Sequence, residues 1–363
     1  MGDKRANTLS EATHVLIATV RRAGSSQTEI KSACQSLLNA AGTATHEESK
    51  NTLQALGALL DLDDLSRAGF VALVCGAVIE NGADPSPVAE PLTSRLKSLL
   101  ESASALAEFC LAQMAKLDVN DEDKNDAFEK IRERSAGRMP KENAAWEALD
   151  VFWRPAVVVY SASPQARAGG QVLLRVAEKT CEYHKGVYWL QTILPVLDNE
   201  PIVVLEPATG LGALGKISGV VENFQLQTLL MGQFPGAGLG SRIRQSVLDV
   251  VTGIGPQQNG EEVVGIWNMY VWQAIQPDLT LPNPSNYASN ELWIWGEGKP
   301  ADIPAFEGRR VILLGPASYP RSWSAQRMFA SLSASLELEP LLTAGEVRNW
   351  LQRMVEAKAT PQP

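Results

Sequence analysis

The sequence predicts two domains: an all-helical N-terminal domain over residues 1–197 and a Trp-rich α+β domain with about five strands over residues 198–363. Three observations predict it. All nine Trp and all six Tyr lie between Trp146 and Trp350, while the first 145 residues hold only Phe70, Phe109 and Phe128. The N-terminal part carries S/T-x-x-E signatures, each followed by apolar residues at the helical period. The C-terminal part carries short β-branched runs bounded by Gly, Pro and Asn.

Taken in order, the helices announce themselves by their caps. Thr8 with Glu11, Ser26 with Glu29 and Thr45 with Glu48 form three capping boxes. Ile30, Cys34, Leu37 and Leu38 make the stripe after the second, and Leu53, Leu56 and Leu60 the stripe after the third. Gly24 and Gly42 stand where helix C-caps belong. Residues 69–79 (GFVALVCGAVI) are about half the length of a membrane span and read as a buried helix. After the DPSP break at 84–87, Leu92, Leu96, Leu99, Ala103, Leu106 and Cys110 form one seam of a helix ending near Leu117. Such a seam is a bundle core or a dimerising coiled coil, and the bundle is the simpler expectation.

Asp118, Asn120, Glu122, Asp126 and Glu129 fall at positions 1, 3, 5, 9 and 12 of an EF-hand-like loop. Asp123 stands where the sharp turn needs Gly, so the segment reads as a solvated acidic connection. Pro155 reads as the start of a new segment, residues 172–181 as a helix, and residues 194–201 as the boundary between domains.

In the C-terminal part the strand candidates are residues 202–205, 217–221, 262–275, 292–295 and 310–314. Residues 223–234 and 242–251 read as helices, with a loop of Gly232, Gly236, Gly238 and Gly240 between them. A closing helix carries Val347, Trp350, Leu351, Met354 and Val355 after a fourth capping box, Thr343 with Glu346.

Composition narrows the function. With 45% apolar and 20% charged residues the chain is globular. Its net charge is −9, and residues 1–150 carry 16 basic against 23 acidic groups. No basic stripe suits a phosphate backbone, so no nucleic acid is expected as a partner. The first twenty residues lack the apolar core of a signal peptide, and Ala6 departs from the myristoylation pattern that Met1-Gly2 begins. No membrane association and a cytoplasmic location are therefore expected, with Cys34, Cys75, Cys110 and Cys181 as reduced side chains in helical segments.

The sharpest motif is Gly210, Gly212, Gly215 and Lys216, which satisfies G-x-G-x-x-G and all of the P-loop pattern but its last position. Ile217 stands where a Ser or Thr would hold Mg²⁺. The residues after it look like a strand, not the helix whose N-terminus receives phosphate. No acidic residue lies between Glu222 and Asp249 to hold a ribose. A glycine-rich turn between adjacent strands is the expectation, with no cofactor.

Other candidates are incomplete. Cys181 and His184 make one C-x-x-H pair without a second, so no metal is expected. Ser94 and Lys97 match S-x-x-K without its companions. Glu297 and Asp302 are a possible carboxylate pair beside Gly and Pro turn formers. Trp267, Trp272, Trp293 and Trp295 concentrate on two strand candidates. Trp293 and Trp295 should share a face, and Trp267 and Trp272 should point oppositely, so that core and exposed positions are mixed.

With acid–base, nucleophile and metal sets all incomplete, the reading leans away from an enzyme. It favours a protein–protein interaction protein, an adaptor or a component of a larger cytosolic assembly, with those four tryptophans as interaction candidates. The alternative is nucleotide or phosphate binding through residues 210–216, and the third reading is an enzyme whose site is dispersed along the chain.

Overall fold

A computed structural model describes residues 8–117, 120–237, 243–283 and 291–359. The chain divides into two compact units, Met1–Pro195 and Val196–Pro363. The first is built from helices α1 (Leu9–Arg21), α2 (Gln27–Ala41), α3 (His46–Gly57), α4 (Leu65–Glu80), α5 (Ser86–Met114), α6 (Lys124–Ser135), α7 (Pro140–Ala162), α8 (Pro164–Gly170), α9 (Val172–Ala177) and α10 (Lys185–Ile193). The capping boxes close α1, α2 and α3 reciprocally: in the first, Glu11 N–H donates to Thr8 Oγ1 at 3.2 Å and Thr8 N–H to Glu11 Oε2 at 3.0 Å.

The apolar run at 69–79 becomes α4, buried over most of its circumference except for a stripe of Phe70, Leu73, Ala77 and Glu80 that is half-buried or exposed. Two of its glycines set how closely α7 approaches. A Cβ at Gly69 would lie 3.0 Å from Val151 Cγ1, and one at Gly76 would lie 3.1 Å from the Pro155 backbone. Pro155 does not begin a new segment. It lies inside α7, fully packed, where burial against α4 offsets the backbone hydrogen bond that a proline cannot make. The seam from Leu92 to Cys110 is buried within the chain, because α5 packs against α3, α6, α7, α8 and α9. It is a bundle core. The expected helix over 172–181 stops at Ala177 and gives way to turns.

The second unit holds a seven-stranded mixed sheet and a two-stranded ribbon, more strands than the five expected. The strands are β1 (Glu200–Glu206), β2 (Leu211–Ser218), β3 (Gln258–Val264), β4 (Trp267–Tyr270), β5 (Ala305–Phe306), β6 (Arg309–Pro316), β7 (Ser322–Gln326), β8 (Ser335–Glu337) and β9 (Leu341–Leu342). The main order is β4-β6-β1-β2-β8, with β5 on β6 and β9 on β2; β3 and β7 form the ribbon. Only β1 with β6 is parallel among these pairs.

Both faces of the sheet are covered. Ile202, Val204, Ile312 and Leu314 join helices α11 (Asn223–Gln233) and α12 (Gln245–Thr252) and the ribbon in one core. Val203, Leu205, Val311 and Leu313 join helix α13 (Ala344–Ala359) in the other. Double burial explains why β1 and β6 read as continuous apolar runs without alternation.

Three expected strands are corrected. Residues 262–275 are divided between the ribbon and the main sheet: β3 ends at Val264 and β4 begins at Trp267. Gly265 marks the crossing, since a Cβ there would lie 2.9 Å from the Trp323 ring. The strand placed at 217–221 starts six residues earlier and ends at Ser218. Residues 292–295 form no strand, only a bridge from Trp293 to Tyr270, which covers the β4 edge. The missed strands β5, β7, β8 and β9 are two to five residues long and mostly polar or too short to show a period.

Candidate interaction site

The glycine-rich motif lies in a β-hairpin. Leu211 to Ile217 pair antiparallel with β1, and no helix follows Lys216 directly. Each glycine answers a local demand. Gly210 turns the chain at φ +71°. A Cβ at Gly212 would lie 2.8 Å from both Leu205 and Val347, where α13 packs on the sheet, and one at Gly215 would overlap the Glu337 carbonyl. Lys216 is exposed, opposite Glu337 on β8. Only Gly210 lies in the turn expected between adjacent strands; the rest of the segment is strand, because its small residues admit β8, β9 and α13. Gly238 and Gly240 of the second glycine-rich stretch lie outside the described residues.

Other sequence candidates are dispersed. His184 is buried and caps α10: its Nδ1 accepts from the N–H groups of Gly186 and Val187, and its Nε2 donates to the Trp146 carbonyl at 3.1 Å. Burial lowers its pKa, opposed by Asp150, whose carboxylate lies 3.6 Å away. Lys97 pairs at 3.9 Å with Glu101. In the EF-hand-like stretch Asp118 lies outside the described residues, and Glu129 is tied to Arg132 at 2.8 Å. Among the described residues no group of three or more His, Cys, Asp or Glu is arranged to hold a metal ion.

The tryptophans separate clearly. Trp267 is 5% exposed, and its indole N–H donates to Glu206 Oε1 at 3.1 Å. Trp272 lies beyond the end of β4 in a short 3-10 turn, half-buried against Phe306. The five-residue spacing therefore does not place it and Trp267 on opposite faces of one strand. Trp293 is 8% exposed, yet Trp295 is 43% exposed, although the two rings touch with centroids 5.3 Å apart. Tyr319, 46% exposed, lies 6.4 Å from the Trp293 centroid. Trp293 thus supports two exposed aromatic rings, Trp295 and Tyr319. Beneath them the Trp293 indole N–H and the Tyr270 hydroxyl are buried without partners among the described residues.

The segment carrying Trp295 is clasped to the start of α11. Asn223 N–H donates to the Gly298 carbonyl and Phe224 N–H to the Gly296 carbonyl, both at 2.9 Å. The Asn223 side-chain Nδ2 donates to the Trp295 carbonyl at 2.8 Å. A Cβ at Gly296 would overlap the Phe224 ring, so only glycine permits this approach. The clasp brings Glu297 near Glu222, the N-cap residue of α11, whose carboxylate makes no capping bond. Burial, and then the charge of Glu297, push the Glu222 carboxyl above its usual pKa. The sequence did not suggest that the residue 296–298 segment would meet Glu222 at the start of α11. Tyr319, Glu222 and Asn223 were all missed. A Glu-Asn pair before an apolar helix reads only as a cap, and a loop tyrosine gives no periodic signal.

No protein family, curated protein or solved structure matches the chain. Among the described residues no helix is long and apolar enough to cross a membrane.

Proposed function

We propose that the protein is a non-enzymatic interaction protein, an adaptor or a component of a larger cytoplasmic assembly, and that Trp295 is its principal contact residue. The supporting observation is the contrast within one aromatic cluster: Trp295 stays 43% exposed while Trp293, which it touches, is buried. A large ring held against a packed neighbour, on a loop fixed by three hydrogen bonds, loses little conformational freedom when a partner covers it. Tyr319 extends the surface on the other side of Trp293. The acidic balance of the chain favours a protein partner over nucleic acid. At Gly210, Gly212, Gly215 and Lys216 the chain forms a hairpin strand, without the helix N-terminus that a phosphate-binding loop supplies.

The test replaces Trp295 by a benzophenone amino acid and irradiates cells making the protein. A discrete covalent adduct is expected from position 295 and none from Ile254, a more accessible position elsewhere on the unit at 81% exposure. Identical adduct patterns from both positions would refute the assignment.

A further inference from the structure

We infer that the outer edge of β3 receives an extended peptide segment of a partner, added as a third strand to the β3–β7 ribbon. The segment carries a basic residue beside Glu262 and an apolar residue in the groove that Val263 lines. This edge and its occupant go beyond the reading of Trp295 and do not depend on it.

Three observations converge. First, hydrogen bonding along β3 is one-sided. Among the described residues its only strand partner is β7, in a register that sets Glu262 opposite Ser324, Val263 opposite Trp323 and Val264 opposite Ser322. Gly265 N–H donates to the Arg321 carbonyl at 2.8 Å, which fixes the alternation: Val263 turns its backbone groups to β7, while Glu262 and Val264 turn theirs away. Those outward N–H and C=O groups bond to no other described residue. Second, a groove of about 480 Å³ is lined by the consecutive residues 261–264 together with buried Met231 of α11 and buried Val247 of α12. Successive side chains of a strand point to opposite faces, so four in a row line one groove only where the backbone edge itself faces it. Third, the edge carries an exposed apolar group and a free charge. Val264 is 56% exposed, and Glu262 is exposed without an ion pair among the described residues. Its neighbour Glu261 is already held, by Arg244 at 3.3 Å and by the Ser246 hydroxyl.

Backbone donors and acceptors spaced along a strand edge are satisfied in series by another extended backbone. Side chains of the added strand then alternate. The one opposite Val263 points into the groove toward Met231 and Val247, where an aliphatic group fits. The one opposite Glu262 lies on the outer face, where Lys or Arg completes a cross-strand ion pair. The pairing of β3 with β7 shifts register between Gln258 and Glu262, with Gly260 at φ +74°, and this bulge confines the usable edge to the residues after it. Glu262 also selects against self-pairing, because a second copy would bring the same carboxylate to the same short edge. The net charge of −9 draws a basic segment rather than an acidic one.

The test titrates a fluorescent Lys-Val-Ile-Val-Lys peptide into the full chain and follows anisotropy; its palindromic order suits either strand direction. Saturable binding is expected. Two N-methylated forms, one at the second and fourth residues and one at the third, block opposite edges of the peptide, so one should lose binding and the other keep it. Val264→Pro removes a donor from the free edge and none from the β7 ladder, and should weaken binding about tenfold or more. Glu262→Lys should weaken the Lys peptide similarly and favour a Glu-Val-Ile-Val-Glu peptide instead. Circular dichroism checks that both variants fold; if Val264→Pro does not, the methylation pair and Glu262→Lys decide. Equal effects of the two methylation patterns, undiminished binding to folded Val264→Pro, or no saturable binding would overturn the inference. So would a dimer of the parent protein that Val264→Pro dissociates in sedimentation, because a second copy would then occupy the edge.

Discussion

Trp295 leans on Trp293 with ring centroids 5.3 Å apart and planes 47° apart, yet the two rings differ fivefold in exposure, 43% against 8%. The chain turns at Gly296 to fold under α11, which leaves the first ring in the open and seals the second against Tyr270. The same dipeptide spacing thus yields one core residue and one surface residue. Trp293→Ala should cost about 3–5 kcal/mol of stability, whereas Trp295→Ala should cost at most about 1 kcal/mol. Urea denaturation of the two variants separates them, and comparable losses would mean that Trp295 is also a core residue.

Leu99 lies on the buried seam of α5, 3% exposed. Leu99→Ala should lower stability by about 2–5 kcal/mol through the cavity it leaves. Sedimentation should show an unchanged oligomeric state, with a melting temperature independent of protein concentration. A concentration-dependent melting temperature would place the seam at a subunit contact instead.

The hairpin glycines and Lys216 should behave oppositely. Gly215→Ala forces a Cβ onto the Glu337 carbonyl, so the variant should melt well below the parent. Lys216→Ala, on an exposed strand position, should change stability by no more than about 0.5 kcal/mol. ATP or GTP with Mg²⁺ should raise the melting temperature of neither protein. Nucleotide stabilisation lost in Lys216→Ala would reverse the ranking of the two functions.

His184 offers a pH test. Its neutral form caps α10, and burial lowers its folded pKa, so the unfolded chain binds the extra proton first as pH falls. Its contribution is complete above the unfolded value near 6.5 and declines below it, by at most about 1.4 kcal/mol per pH unit. Denaturation at pH 7.5 and 5.5 should show this loss. His184→Asn keeps a cap acceptor without a titrating group and should reduce the loss. An equal loss in the variant would assign the effect to other groups.

Thiol reagents give a simple check on the helical unit. Burial pushes the thiols of Cys34 and Cys110 up to about 11 and that of Cys75 up to about 12. These three should remain unlabelled in the native protein at pH 8 and react only on unfolding. Rapid native labelling of any of them would indicate that its helix opens locally.

The helical unit was largely legible because its information is local. A Thr or Ser three residues before a Glu closes a cap within one turn, and the Leu92 to Cys110 seam needs only the helical period. The sheet was less legible. Strands β1 and β6 declared themselves by β-branched runs, but β8 and β9 exist only because distant Gly215 and Gly212 leave room beside β2. The site was harder still. The sequence nominated Trp295 among four tryptophans, but could not choose it, since exposure was decided by hydrogen bonds between Asn223, Phe224 and a loop some seventy residues away. The approach of residues 296–298 to Glu222 follows from the same hydrogen bonds and has no local signature.

The measurement closest to the central claim is the affinity of the partner recovered by the position-295 cross-link, purified and titrated against the parent protein and Trp295→Ala. If Trp295 anchors the interface, the variant should keep its melting temperature within a few degrees and lose about 30-fold or more in affinity. An unchanged affinity in a folded Trp295→Ala variant would contradict the account.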